Sequence, residues 1–341
     1  MTQPVGSFEA DHVSVLRAEA IEAVVPAPGQ VVVDATFGAG GYTAKLLEAG
    51  ATVIAFDRDP AAIAAGRVRF SNEAKLTLVE APFDQVEQAL GAQGVSHIDA
   101  IVFDFGVSSM QLDQGERGFS FQQDGPLDMR MGGGADVAAF VNAAEENDLA
   151  DVIFQYGEEK KSRRLAKLIV EARRVAPLKT TTDLATIAEK ALGRGAKIHP
   201  ATRLFQALRI FINDELGQIV RALLAAERLL TPGGRLVAVS FHSLEDRIVK
   251  RFLSTVTGQG GSASRHLPDI DRPLATFNKG KKAVRPSAEE IDANPRARSA
   301  ILRRARRNEN PVSDWSRARL EGLGVPPLVF SSLQQKWSHV S

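Results

Sequence analysis

Three aspartates, Asp34, Asp57 and Asp104, each close a short run of β-branched or aromatic residues: Val31-Val32-Val33, Thr52 to Phe56 and Ile98 to Phe103. Behind Asp34 comes the turn Thr36-Phe37-Gly38-Ala39-Gly40-Gly41. Glycines between a strand and a helix let a ligand lie against bare backbone, and open α/β sheets bind ligands at the carboxyl ends of their strands. Two ligands compete for such an edge. A dinucleotide needs Gly-x-Gly-x-x-Gly, and the register from Gly38 puts Thr43 at the third glycine, which disfavours NAD and an oxidoreductase. S-adenosylmethionine has no pyrophosphate. Its cationic groups suit Asp34 and nearby carbonyls, and its ribose hydroxyls suit a bidentate carboxylate such as Asp57. Its adenine suits the apolar wall of Ala81-Pro82-Phe83. Asp104 then sits by the transferable methyl. One such aspartate is as readily a helix or turn cap; several coordinated positions point to the methyl donor.

Those residues need a sheet to position them. Tyr42 to Ala49 reads as a helix ended by Gly50, and Pro60 opens another that runs to about Phe70. Leu76 to Val79 is a third strand and Phe83 to Leu90 a helix before the fourth strand. Alternating strands and helices predict a parallel sheet covered on both faces. From Gly106 to Gly134 the period is lost, over a length that usually marks a functional loop. Asp136 to about Asp214 then reads as helices alone. The alternation resumes with a helix over Glu215 to Leu230, a turn at Thr231-Pro232-Gly233-Gly234, a strand over Arg235 to Ser240 and a helix over Leu244 to Thr255. Gln259 to Ser264 reads as a linker, and Ala300 to Arg304 as a late edge strand. The expected fold is α/β, a class I Rossmann-like methyltransferase sheet with an inserted all-helical domain. Residues 1–112 and 215–310 form the discontinuous core, 113–214 the loop and helical substrate-recognition insert, and 311–341 a tail.

The chain holds 341 residues, 44% hydrophobic and 24% charged, as in ordinary globular proteins. No apolar run nears the roughly 20 residues of a membrane span, and no secretory signal opens the chain. A cytoplasmic location is expected. With no cysteine, thiolate metal sites, disulfides and cysteine nucleophiles are excluded. The six histidines are scattered without an i, i+4 pair, so no metal site is expected. Net charge is +1, yet Arg296, Arg298, Arg303, Arg304, Arg306 and Arg307 crowd one stretch, and Lys160, Lys161, Arg163, Arg164 and Lys167 another. Local positive patches attract phosphate whatever the total.

Specific motifs follow Asp104. Asp104-Phe105-Gly106-Val107-Ser108-Ser109-Met110-Gln111-Leu112-Asp113 resembles the ribosomal RNA small subunit methyltransferase H family. The likeness continues through Glu116-Arg117-Gly118-Phe119-Ser120-Phe121, His199-Pro200-Ala201-Thr202-Arg203, Asn213-Asp214-Glu215-Leu216 and Ser240-Phe241-His242-Ser243-Leu244-Glu245-Asp246-Arg247. It covers roughly His12 to Arg307. The resemblance implies methylation, from S-adenosyl-L-methionine, of N4 of a cytidine in the decoding centre of 16S ribosomal RNA. The partner is then 16S rRNA in the small ribosomal subunit. It also implies cofactor contacts at Gly40, Gly41, Tyr42, Asp57, Phe83, Asp104 and Gln111. One departure stands out: the family loop often reads Gly-Arg-Gly-Gly-His-Ser, and here Ala39 and Tyr42 replace the Arg and the His.

Cytosine N4 is a weak nucleophile because its lone pair is delocalised into the ring. An enzyme must hold the amine on acceptors, align it with the methyl and let a proton leave. Asp104 and the carbonyls beside it are the candidate acceptors. Without cysteine, the C5 route through a thiolate is closed. Phe105, Phe119 and Phe121 are candidate stacking faces for a splayed base, and His242 either orients substrate or satisfies a strand end. Arg203 and Arg209, about two helical turns apart, are candidate phosphate contacts, with ion pairing to Asp214 or Glu215 as the alternative; Arg303, Arg304, Arg306 and Arg307 join them. A cofactor-stabilised RNA-binding assembly factor without turnover is the competing class.

Overall fold

The computed structural model describes residues 14–106, 113–193, 199–259, 274–278 and 280–338. Gln111, its motif neighbours Val107 to Leu112, and most of the Gln259 to Ser264 linker lie outside these described residues.

The described strands form one sheet. They are β1 (Val31–Asp34), β2 (Thr52–Asp57), β3 (Leu76–Glu80), β4 (Ile98–Asp104), β5 (Leu230–Ser240), β6 (Phe277–Asn278) and β7 (Ile301–Arg307), in the order β3-β2-β1-β4-β5-β7-β6. β3, β2, β1, β4 and β5 are mutually parallel, and β7 runs antiparallel between β5 and β6. This is the class I methyltransferase sheet. β7 is therefore internal rather than an edge. The Thr231 to Gly234 turn is also absorbed: β5 begins at Leu230, and its pairing with β4 slips between Ile98 and Ala100, an irregularity that Gly233 at φ +90° makes possible.

Alternation along the strands gives the sheet two apolar faces. Val33, Ile54, Ile101 and Phe103 face one cluster; Val32, Val53, Val102 and Val237 face the other. The first cluster continues without a break into the helical segment, through Phe140, Leu149, Ile153, Tyr156, Ile169, Phe205 and Phe211. That segment holds helices Val137–Ala143, Glu146–Gly157, Ser162–Val175, Thr181–Leu192 and Ala201–Ile212. Helix Glu215–Leu229 bridges it to the sheet and is buried along most of its length.

The C-terminal residues pack on both parts. Buried Glu227 accepts hydrogen bonds from Thr276 Oγ1 and Trp315 Nε1, each at 2.6 Å, and Trp315 stacks on Phe252. Helix Ser332–Ser338 reaches the helical segment: Tyr156 Oη donates to Gln334 Oε1 at 2.8 Å, Gln334 Nε2 donates to the Phe211 carbonyl at 2.7 Å, and Trp337 meets Phe140 edge to face. No helix among the described residues is long and apolar enough to cross a membrane.

Candidate active site

Strand order reverses between β1 and β4, and at such a switch point an open sheet leaves a crevice outside its strand ends. The pocket lies there. It is lined by Thr36, Gly38, Asp57, Asp59 and Phe83, and by Asp104, Phe105, Gly106, Glu215, Gln218, Phe241 and Glu245.

The glycine loop divides its labour. Gly38, at φ +52°, has open space where a Cβ would stand and borders the pocket. Gly40 and Gly41 instead serve packing: a Cβ at Gly40 would meet Phe37 and Phe70 at 2.8 Å, and one at Gly41 would collide with Ser14 Oγ. Tyr42 also turns inward. Its ring is buried, and its hydroxyl donates to the Val15 carbonyl at 2.5 Å, so it anchors the N-terminal segment rather than lining the pocket.

Asp34 takes a structural role as well. It is fully buried, and its carboxylate accepts from Thr43 Oγ1 at 2.7 Å and the Thr43 N–H at 3.1 Å, tying β1 to the following helix. Burial pushes it up to about 6, against those hydrogen bonds. Asp34 has no exposed surface and is not among the residues lining the pocket, so the structure does not bring it to the position that the expected direct contact with a cationic ligand requires.

Asp57 remains at the pocket. Its oxygens accept the N–H groups of Gly38 and Asp59, each at 2.8 Å, and burial raises it above its ordinary value. Carboxylate oxygens have lone pairs to spare after one N–H each, so ribose hydroxyls still fit. Phe83 packs against Phe105 and Phe103, tilted to the first and edge-on to the second, with centroids 5.6 and 6.1 Å away, an apolar wall beside Asp57. Asp104 receives no hydrogen bond at Oδ1, although that atom is buried. Burial raises its proton affinity well above the usual carboxylate range, and Asp34 and Glu245 add to it. A buried acceptor without a donor is costly unless a ligand supplies one. Open space at Gly38, the Asp57 oxygens, the aromatic wall and this unpartnered acceptor fit S-adenosylmethionine.

The sequence reading missed Arg58, Asp59, Glu215, Gln218 and Glu245. The signal for Glu245 was present but reads as structure: a glutamate three residues after a helix cap closes a capping box. His242 is that cap, with Nδ1 accepting the Glu245 N–H at 3.5 Å while Glu245 Oε2 accepts the N–H groups of Phe241 and His242. Asn213 pins the long loop, accepting from the Met131 N–H and donating to the Met129 carbonyl, each at 2.8 Å. Arg117 closes the loop onto Asp59 at 2.9 Å.

Several expected RNA contacts are spent internally. Arg209 forks both oxygens of Glu215 at 2.8 Å, the ion-pair alternative. Arg307 is buried and donates to the carbonyls of Glu227, Thr276 and Asn308. Arg303 forks Asp246. Phe119 is a core residue; Phe105 is buried but lines the pocket, and Phe121 is partly exposed and stacks on His199 at 4.5 Å. Arg203 is exposed beside Glu159, Arg306 is exposed, and Arg304 is half-buried. Lys160, Lys161, Arg163, Arg164 and Lys167 are all exposed.

Sheet order and strand-end site together define a methyltransferase that uses S-adenosyl-L-methionine. The chain belongs to the MraW methylase family, whose model matches residues 9–308. It is 53% identical over 327 residues to proteins named ribosomal RNA small subunit methyltransferase H from Brucella suis and Brucella abortus, covering 94% of this chain and 93% of each relative. Among solved structures, an rRNA methylase from Streptococcus thermophilus aligns at a TM-score of 0.38 and 12% identity, over 86% of this chain and 94% of that one.

Proposed function

We propose that the protein transfers a methyl group from S-adenosylmethionine to the exocyclic N4 amine of a cytidine in the decoding centre of 16S rRNA, acting on the small ribosomal subunit. The observation that carries this reading is Asp104 Oδ1, a buried acceptor without a donor, at the end of β4 where it lines the pocket. The relatives' shared name supplies the RNA. The cofactor supplies an electrophilic methyl on a sulfonium. Asp57 binds the ribose, Phe83 walls the adenine, and Asp104 accepts from the amine so that its lone pair leaves conjugation with the ring.

Selectivity for one base needs contacts beyond the pocket. We assign these to the helical insert, whose exposed Lys160, Lys161, Arg163, Arg164 and Lys167 form a basic face, and to Arg203, Arg304 and Arg306. The test is nucleoside mass spectrometry of 16S rRNA from cells lacking the protein. Loss of N4-methylcytidine, restored by the wild-type gene and not by Asp104→Ala, is expected; an unchanged modification profile would overturn the reading.

A further inference from the structure

Glu245 sits in the first turn of helix Ser243–Val256, directly after β5. One of its oxygens is fully explained. Oε2 accepts the Phe241 N–H at 2.6 Å and the His242 N–H at 3.2 Å. A helix cap needs no more than that. The other oxygen, Oε1, is buried at the pocket and has no aligned hydrogen-bond donor. His242 Nε2 lies 3.0 Å from it, but its N–H does not point at the oxygen, and that nitrogen also lacks an aligned partner. Gly106 lines the same pocket, and a Cβ there would lie 4.0 Å from Oε1. Two buried acceptors thus face one pocket: Asp104 Oδ1, which has no hydrogen-bond donor, and Glu245 Oε1, whose neighbour His242 Nε2 at 3.0 Å is not aligned with it.

Two kinds of ligand answer such a pair. A divalent cation is one, because Glu215, His242 and Glu245 bring donor atoms within 4.8 Å of one another. Arg209 argues against it: its guanidinium already holds both Glu215 oxygens, so a cation would be bound beside a fixed positive charge. The other is a group with two N–H bonds, a primary amine.

We propose that Glu245 is a catalytic residue whose Oε1 accepts from the substrate amine alongside Asp104 and then takes the proton the amine loses. This rests on the exocyclic amine being the methyl acceptor. N4 gains the methyl carbon as the carbon–sulfur bond breaks with its electron pair left on sulfur. The now cationic N4 then loses one N–H bond; the pair returns to nitrogen and the proton forms an O–H bond at Oε1. The resulting carboxylic acid gives that proton to water once product has left.

The surroundings divide the two carboxyls accordingly. Burial alone would raise Glu245, but the attraction of His242 beside it, the Phe241 N–H and Arg209 beyond outweigh it and hold Glu245 below its ordinary value. Asp104 is pushed the other way. Of the two, Glu245 is therefore the carboxyl held ionised and ready to take a proton.

Glu245→Gln tests this, because the amide oxygen can keep both backbone N–H groups and so preserve the cap, while the amide nitrogen turns a donor toward the amine. Single-turnover methylation of purified small subunits should fall by about 10²–10⁴-fold, the usual contribution of a positioned base. Tm and the Kd for S-adenosylmethionine should stay at wild-type values. The wild-type rate should drop on acidification as Glu245 protonates, and the variant should lack that limb. Glu245→Asp retracts the carboxylate and should be slowed at least about tenfold with the limb retained; it serves also if the Gln variant does not fold. A rate within about threefold of wild type in either variant, or Mn²⁺ binding by electron paramagnetic resonance that Glu245→Gln abolishes, overturns the proposal. The nucleoside formed by the wild-type enzyme separates the two readings: a product other than N4-methylcytidine overturns the substrate assignment, whatever the Glu245 variants do.

Discussion

The N–H of Gly38 donates to Oδ2 of Asp57 at 2.8 Å, joining the glycine loop to a strand end 19 residues further along the chain. The Asp59 N–H takes the other oxygen at 2.8 Å. One carboxylate therefore shapes the glycine loop and, in the function proposed above, also meets the ribose. Asp57→Ala should weaken S-adenosylmethionine binding by about 10- to 150-fold, or about 1.5–3 kcal/mol for a charge-assisted contact. Calorimetric titration measures it, and an unchanged affinity would remove Asp57 from the ribose site.

Asp34 predicts a pH effect on stability. Its folded-state value is raised from 3.8 to about 6, chiefly by burial. A raised value means that folding is favoured with the group protonated. The stability is therefore fully present below about pH 4 and is lost as pH rises through about 6. Asp34→Asn stays neutral throughout. Its stability relative to wild type should rise by about 2.5 kcal/mol between pH 4 and pH 7, at about 1.4 kcal/mol per unit. Urea midpoints across that range measure the difference, and parallel curves would contradict it.

Arg209 and Glu215 form a buried pair with both oxygens engaged. Arg209→Met leaves the Glu215 charge without its partner and should cost about 3–5 kcal/mol, whereas Arg209→Met with Glu215→Leu should recover much of it. A single variant as stable as wild type would show that the pair is not doing this.

The basic strand β7 separates into two kinds of arginine. Arg307→Ala loses donors to three carbonyls and should lower Tm sharply. Arg304→Glu with Arg306→Glu should leave Tm and cofactor affinity nearly unchanged but weaken binding to small subunits. The slope of log K against log salt should shrink by about 2, one for each phosphate no longer neutralised. Filter binding at several salt concentrations decides it, and an unaltered slope would take both residues off the RNA.

How far the sequence reveals this depends on how local each cause is. The strand-end aspartates and the α/β alternation are local, and the sheet follows from them. Asp34 shows its residue type but not its role, since Thr43, which occupies it, lies on the next helix. The arginines of β7 read as a basic surface because charge is visible in a sequence and cover is not. Asp246 and the carbonyl of Glu227, which engage Arg303 and Arg307, come from helices 57 and 80 residues away. Glu245 is hidden differently: its capping role explains it so well that the second oxygen goes unasked. The tail shows no period because its partners, Glu227, Phe252, Phe140 and Tyr156, are scattered through the chain.

The bond between Tyr156 and Gln334 spans 178 residues. At a synthesis rate of about 5–20 residues per second, roughly 10–35 s separate the appearance of the two partners. For that interval the seam around Phe140, Tyr156 and Phe211 has no cover from Gln334 and Trp337. The middle of this protein thus matures on a delay, and its final shape is reached only when a much younger stretch of chain arrives to close it.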